Sequence, residues 1–205
     1  MEHEIIPFFF IRHAPVKKKK GHLPPYDALI THGPFKLKPL ISNLPRHASW
    51  QISPLQRAQQ TANLFEKHLN PISQIIEPAL AEQNFGSWHD QPIDKTWQQI
   101  KKGPKHNWSF IMHDSCPPNG ESFDNQIIRM KFWCELQEQK QMKTAQIVFA
   151  HAGTIRAAMV YMLGLPAARA QSIEVPHFGC LHVSLMATSK AQKNYGGAWQ
   201  IHKLN

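Results

Sequence analysis

A chain of 205 residues, 42% hydrophobic and 18% charged, carries enough apolar side chain to close one sizeable core and too little polarity for a disordered polymer. Its formal charge of +9 implies an anionic partner, nucleic acid or phosphorylated metabolite, without choosing between them. The longest apolar run falls far short of a membrane span, and three cysteines without C-x-x-C spacing argue against a disulfide framework or a zinc site. An odd, unpaired cysteine set fits a reducing compartment. Met1-Glu2-His3-Glu4 is acidic where a secretory signal would be basic, so cytoplasmic residence is expected.

The first apolar run, Phe8-Phe9-Phe10-Ile11, reads as a buried strand, because aromatic and β-branched side chains suit a covered, pleated surface. It delivers Arg12-His13-Ala14-Pro15 to a turn, and in open α/β sheets ligands bind beyond the carboxyl ends of strands. Lys17 to Lys20 follow as four consecutive lysines, closed by Gly21 and Pro24-Pro25. A run of like charges repels itself, so a solvated loop is the first expectation. A loop overhanging the Arg12-His13 edge, meeting extra negative charge on a substrate, is the second. Gly33-Pro34 is expected to open a helix reaching about Leu44, with Pro39 as an awkward member.

Ser49 to Ile52 reads as a second strand. Ser53-Pro54-Leu55-Gln56-Arg57-Ala58 then reads as a helix start, with Ser53 as N-cap and Pro54 at the first helical position. Leu55, Ala58, Ala62, Phe65 and Leu69 keep the helical apolar spacing. Arg57 falls in the first turn, where a cation is unfavourable to the helix itself, so arginine and helix end together could converge on an anion. Glu82 stands in a short segment ending at Gly86. A helical stretch near Ile93 to Lys101 precedes a long irregular segment, Gly103 to Gly120, of the kind that forms lids or binding loops. Its His106 and His113 have no cysteine or carboxylate at ligand spacing and are expected to face solvent.

Ser122 is a plausible N-cap for a helix to about Lys140, with Phe123, Ile127, Met130 and the Phe132–Trp133 pair on its apolar side. Gln146 to Ala150 is a buried strand delivering His151-Ala152-Gly153 to a turn. Thr154 to Leu163 is the next helix, closed by Gly164. Ile173 to Val175, Cys180 to Met186 and Trp199 to His202 are candidate later strands. Alternating strands and helices predict an α/β fold, a doubly wound sheet with helices on both faces, in which the ends holding His13 and His151 can be neighbours.

If Arg12, His13, Arg57 and His151 meet with Glu82 at the rim, the set suits phosphoryl chemistry. Guanidiniums match phosphate oxygens in a fixed fork. A neutral imidazole is a competent nucleophile, and a second one, if protonated, adds charge for the reorganising oxygens. A carboxylic acid can protonate the departing alcohol and then activate water. The cations are side chains, so no metal or cofactor is called for. Phosphomonoester hydrolysis, or phosphoryl transfer within a substrate, is the reaction class.

Five motifs in order resemble the histidine phosphatase superfamily, and within it the phosphoglycerate mutase-like branch and its α-ribazole phosphatase-like members. They are Arg12-His13-Ala14-Pro15; Ser53 to Ala58 with Thr61-Ala62; Leu80-x-Glu82 with Phe85-Gly86-x-Trp88; Gly120-Glu121-Ser122-Phe123; and His151-Ala152-Gly153 with Ile155-Arg156. The resemblance implies one phosphoglycerate mutase-like domain over residues 1–205, with a lid or insertion around 87–121. It implies His13 as the phosphorylated nucleophile, Glu82 as proton donor, and a phosphate pocket of Arg12, Arg57 and His151. Ala14 replaces the family's usual glycine, and an asparagine common shortly after the nucleophile is missing, with Lys19 near its place. Glu82 argues against the phosphohistidine-protein phosphatases, and Ala152 against the phytase-like branch with its His-Asp pair. The chain looks short for a mutase, so net hydrolysis of a small phosphorylated metabolite is favoured over a phosphoglycerate mutase-type transfer or a catalytically idle phosphate- or nucleic-acid-binding role. Neither nucleic acid nor membrane is expected as a partner, and the oligomeric state is left open.

Overall fold

The computed structural model describes residues 5–186 and 196–205; the acidic stretch Met1 to Glu4 lies outside the described residues. Six strands form one sheet: β1 (Ile5–Arg12), β2 (Ser49–Ile52), β3 (Ser73–Ile76), β4 (Gln146–Ala150), β5 (Cys180–Met186) and β6 (Trp199–Leu204), in the order β3-β2-β4-β1-β5-β6. The first four are mutually parallel, and β5 and β6 run antiparallel at one edge. The alternation of side chains in β1 shows why its apolar run is unbroken. Ile6, Phe8 and Phe10 enter one core with Val148 and Ala150, while Ile11 enters a second core with Ile147 and Phe149 on the opposite face.

Each face is closed by helices. The first core is covered by α4 (Phe123–Gln139) and α5 (Ala152–Leu163), through Met130, Trp133, Cys134, Ile155 and Ala158. The second is covered by α2 (Gln56–Leu69), whose Ala58, Ala62, Phe65 and Leu69 face Trp50 and Ile52. The doubly wound α/β sheet predicted from the sequence is therefore the observed architecture. Short helices α1 (Lys38–Ile41), α3 (Ile93–Ile100) and α6 (Ala167–Ala170) complete the chain.

Several local expectations are corrected. The helix expected from Gly33 to Leu44 is the four residues Lys38–Ile41, with Pro39 in its first turn, where the missing N–H costs nothing. Ser53 does not cap α2. The helix starts at Gln56, whose backbone N–H donates to Asp27 Oδ1 at 2.6 Å, so the cap comes from the loop after β1. Ser122 does cap α4, its Oγ accepting from Asn125 N at 3.2 Å. Phe132, expected on the buried side of α4, is 60% exposed; Gln126 and Gln137 take buried places instead. Gln137 belongs to a cluster in which Gln51 donates to Gln137 Oε1 at 3.0 Å and accepts from Trp133 Nε1 at 3.1 Å, tying α4 to β2.

Ile173 to Val175 is not a strand, because its carbonyls are taken by arginines: Arg156 Nε donates to Ile173 O at 2.7 Å and Arg12 NH1 to Val175 O at 2.6 Å. Residues 103–120 are irregular, as expected. Their histidines are not free in solvent: His106 Nε2 meets Ala168 O at 2.8 Å and His113 Nδ1 meets Asp124 Oδ1 at 2.8 Å. The four lysines are exposed, yet their loop is pinned at both ends. Lys17 N donates to Leu29 O at 2.8 Å, Leu23 N to Gln91 O at 3.0 Å, and Ile93 N to Gly21 O at 2.8 Å.

Candidate active site

Register brings the two strand-end histidines together. Arg12 of β1 pairs with Ala150 of β4, so the next residues, His13 and His151, leave adjacent parallel strands at the same level. His13 N donates to Ala150 O at 3.0 Å, and the two ring centroids lie 5.0 Å apart. Ser53 leaves β2 beside them, its N–H bonded to Phe149 O at 3.0 Å. A cavity of about 340 Å³ opens there, lined by Arg12, His13, Arg57 and Glu82 together with Lys18, His89 and His177.

His13 Nδ1 lies 2.6 Å from its neighbour's carbonyl, Ala14 O. A carbonyl only accepts, so Nδ1 carries the ring proton and Nε2 keeps its lone pair. Burial, then the positive charge of Arg57, pushes the His13 pKa down to about 2, so this imidazole is neutral throughout the physiological range. The turn that bears His13 is braced by Thr61, fully buried, which accepts from Ala14 N at 2.9 Å and donates to Arg57 O at 2.6 Å.

His151 is fully buried, and burial followed by Arg57 and His13 holds its pKa well below the ordinary value. Arg57 Nε donates to its Nδ1 at 3.1 Å, which leaves the proton on Nε2, donating to Ser53 Oγ at 2.7 Å. The second imidazole is therefore neutral in this state and orients Arg57, whose NH1 also donates to Tyr26 O at 2.5 Å. Ser53, expected as a helix cap, instead receives the His151 proton.

Glu82 follows a 3₁₀ turn, Pro78–Leu80, and reaches the start of α5: Gly153 N donates to Oε2 at 3.2 Å, while Gln83 N and Gln126 Nε2 donate to Oε1 at 3.0 and 3.1 Å. A Cβ on Gly153 would overlap Glu82 Oε1 and stand 2.8 Å from Gln126 Oε1, so only glycine admits the carboxylate here. The neighbouring loop is locked by Glu121, whose Oε1 accepts from Asn84 N at 3.0 Å and from Arg129 NH2 at 2.9 Å. Gly86, with φ +50°, and Gly120 meet backbone to backbone; a Cβ on Gly86 would stand 2.5 Å from Gly120 N.

Sequence reasoning missed His177 and His89. The ring of His177 lies 5.3 Å from that of His13; its Nδ1 meets His13 O at 3.0 Å and its Nε2 faces Arg12 NH2 at 3.4 Å. His89 accepts from Phe85 N at 2.9 Å through Nε2, so Nδ1 is the donor towards Pro24 O, at 3.3 Å. It joins the Glu82 loop to the lysine loop. Arg156, quoted in the fifth motif without a role, interacts electrostatically with Glu82 and Glu174. Among the described residues, no group of three or more His, Cys, Asp or Glu side chains is arranged to hold a metal ion.

An α/β sheet whose strand ends bring two arginines, His13 and a carboxylate to one cavity, with the buried His151 ring 5.0 Å from that of His13, is chemically suited to binding a phosphate. The model of the histidine phosphatase superfamily (branch 1) matches residues 36–195, and the chain belongs to that superfamily, a family of phosphatases. The matched span begins after Arg12 and His13, and β1, which carries them, is tied to that span by its pairing with β4 and β5. Among solved structures, a mycobacterial hydrolase is similar with a TM-score of 0.75 and 16% identity, over 98% of this chain and 99% of its own. An Escherichia coli putative α-ribazole-5′-P phosphatase matches with a TM-score of 0.71 and 21% identity, over 98% and 96%. A mycobacterial glucosyl-3-phosphoglycerate phosphatase matches with a TM-score of 0.70 and 14% identity, over 97% of each chain. At these identities the likeness is one of fold. No curated protein matches the chain significantly.

Proposed function

We propose that this protein hydrolyses phosphomonoesters of small metabolites through a phosphohistidine on His13, without a metal. The observation that carries the reading is the bond from His13 Nδ1 to Ala14 O, which leaves Nε2 as an unprotonated nucleophile beside two guanidiniums. Arg12 and Arg57 hold the non-bridging oxygens. Nε2 forms a bond to phosphorus as the ester P–O bond breaks, and the departing oxygen takes a proton from Glu82. The Glu82 carboxylate then removes a proton from water, whose oxygen attacks phosphorus; the P–N bond breaks and inorganic phosphate leaves. A phosphoryl dianion beside His151 raises that imidazole's proton affinity, so it contributes charge once substrate is seated. His151 thus has two states, an orienting partner of Arg57 when the cavity is empty and a donor when it is filled.

The substrate class is a small phosphorylated metabolite. α-Ribazole phosphate and glucosyl-3-phosphoglycerate, the compounds in the names of two fold neighbours, are the first to assay. The test is hydrolysis of p-nitrophenyl phosphate in EDTA at mildly acid pH by the wild type and His13→Ala. Activity that survives chelation and vanishes in the variant supports the reading; activity that needs added metal or persists in His13→Ala overturns it.

A further inference from the structure

Basic and aromatic side chains gather on one outer region that the proposed reaction does not use. On α3 the buried residues Thr96 and Ile100 face the body, while Ile93 and Trp97, one turn apart, remain 42% exposed each. Lys101 extends that row by a further turn, and Lys105 Nζ stands 6.0 Å from the Trp97 ring centroid. Trp108 follows and is 79% exposed. That exposure is held in place by its surroundings. Trp108 N donates to His106 Nδ1 at 3.0 Å, so His106 Nε2 carries the proton and donates to Ala168 O at 2.8 Å; Gln171 Nε2 reaches Ile111 O at 3.4 Å on the far side. The backbone is tied down and the indole points outward.

The charge of this region is mostly positive, with exposed Asp90 and Asp114 at its borders. Residues 91–108 contain Lys95, Lys101, Lys102 and Lys105 against a single carboxylate, Asp94, and no arginine. The four-lysine loop joins the start of α3 through Ile93 N to Gly21 O and a bridge between His22 and Pro92. Arginine is the residue of directed phosphate and nucleic-acid recognition; Arg12 and Arg57 lie in the cavity, and beside this patch one arginine is exposed, Arg169 of α6, next to the Ala168 carbonyl that holds His106, so lysine supplies most of the charge here. Lysines grouped around exposed indoles match a diffuse negative surface with an apolar layer beneath, where tryptophan rests at headgroup level and each lysine adds attraction.

We propose that α3 and the 101–108 segment form a docking surface for an anionic lipid bilayer, with Trp97 and Trp108 entering the headgroup layer and Lys101, Lys102 and Lys105 facing acidic headgroups. Lys18, from the loop that adjoins the start of α3, also lines the cavity. The attachment is reversible, since short apolar contacts plus lysines bind far more weakly than a spanning helix.

The experiment is co-sedimentation of the full chain with vesicles of phosphatidylcholine alone and of phosphatidylcholine mixed with phosphatidylserine, at low and high salt. The wild type should pellet with the mixed vesicles only, and be released by salt. Lys101→Ser/Lys102→Ser/Lys105→Ser should partition roughly 100-fold more weakly, from the attraction expected of three surface lysines. Trp97→Ser/Trp108→Ser should also lose binding, with an unchanged melting temperature as the fold control, because all five side chains are exposed. Failure to pellet, equal binding to neutral vesicles, or binding unchanged in the lysine variant overturns the proposal. Retention of the wild type on single-stranded DNA without vesicle binding overturns it in favour of a nucleic-acid face. The readout is independent of catalysis, so it stands or falls separately from the phosphatase reading.

Discussion

Gly153→Ala isolates the placement of Glu82 from its chemistry. A Cβ at this position overlaps Glu82 Oε1, and lies 3.2 Å from Glu82 Cδ and 2.8 Å from Gln126 Oε1. Ordinary contact between carbon atoms needs about 3.5–4.0 Å, so the carboxylate must retreat by about 1 Å. The group displaced is the end of a flexible side chain, and alanine favours a helix interior over glycine by about 1 kcal/mol, so stability should change little. Catalysis should change more, because misplacing a reacting group by about 1 Å can cost about 100-fold. The assay is kcat on an alkyl phosphate and on p-nitrophenyl phosphate, with melting temperature alongside. Loss should be concentrated on the alkyl ester, whose alkoxide needs the proton, and Glu82→Gln should show the same selectivity more strongly. An alanine variant that folds and keeps full alkyl-phosphate turnover would refute the role given to this carboxylate.

Three further expectations follow from the site. His13, His151, His89 and His177 are all held neutral, with folded pKa values below the ordinary 6.5. The unfolded chain therefore takes up these protons first as pH falls. The contribution is complete above about pH 6.5 and declines below it, by up to about 1.4 kcal/mol per pH unit for each of the buried His13 and His151 and by less for the half-buried His89 and His177, whose shifts solvent screens; for His13 the decline extends towards about 2. A melting temperature that stays flat or rises between about pH 7 and pH 5 would contradict this assignment. Replacing Lys17 to Lys20 by serine should raise KM for substrates with additional negative charge and leave p-nitrophenyl phosphate unchanged; a uniform effect would remove the loop from substrate recruitment. Ser53→Ala removes the acceptor of a fully buried imidazole proton and should cost about 1–3 kcal/mol in a denaturation experiment, while an unchanged midpoint would mean that His151 finds another partner.

Strands β1 and β4 were legible because they are buried on both faces and so read as apolar runs, each delivering a histidine that the register then aligns, whereas β3, exposed at all four residues on the sheet edge, offered no such run and was not anticipated. Arg12, His13, Arg57 and His151 drew notice as strand-end or helix-start residues, while Glu82 was singled out only by the motif resemblance, since the short turn before it has no periodic signal. His177 and His89 gave no such signal: one follows Pro176 in an irregular stretch and the other lies in a loop, and their bonds to His13 O and towards Pro24 O join residues more than sixty positions apart. Ile173 to Val175 has strand-like side chains, but arginines claim its carbonyls, which no side-chain pattern announces. Gln51, Gln126 and Gln137 were invisible as core members because each is buried only by virtue of a partner on another element. The cap of α2 was misplaced for the same reason, since Asp27 is distant in sequence from Gln56.

The backbone contact between Gly86 and Gly120, reinforced by Ser87 N donating to Pro118 O at 2.8 Å, closes the stretch between them at its neck. A change of length in the parts of this stretch that make no contact with the body carries an entropic penalty that grows only slowly, whereas His89 and His113 tie the stretch to the cavity and to α4. The neck thus divides the stretch into anchored positions, His89 and His113 among them, and exposed ones such as Trp108 where a lineage, or an engineer, can rewrite what the molecule touches.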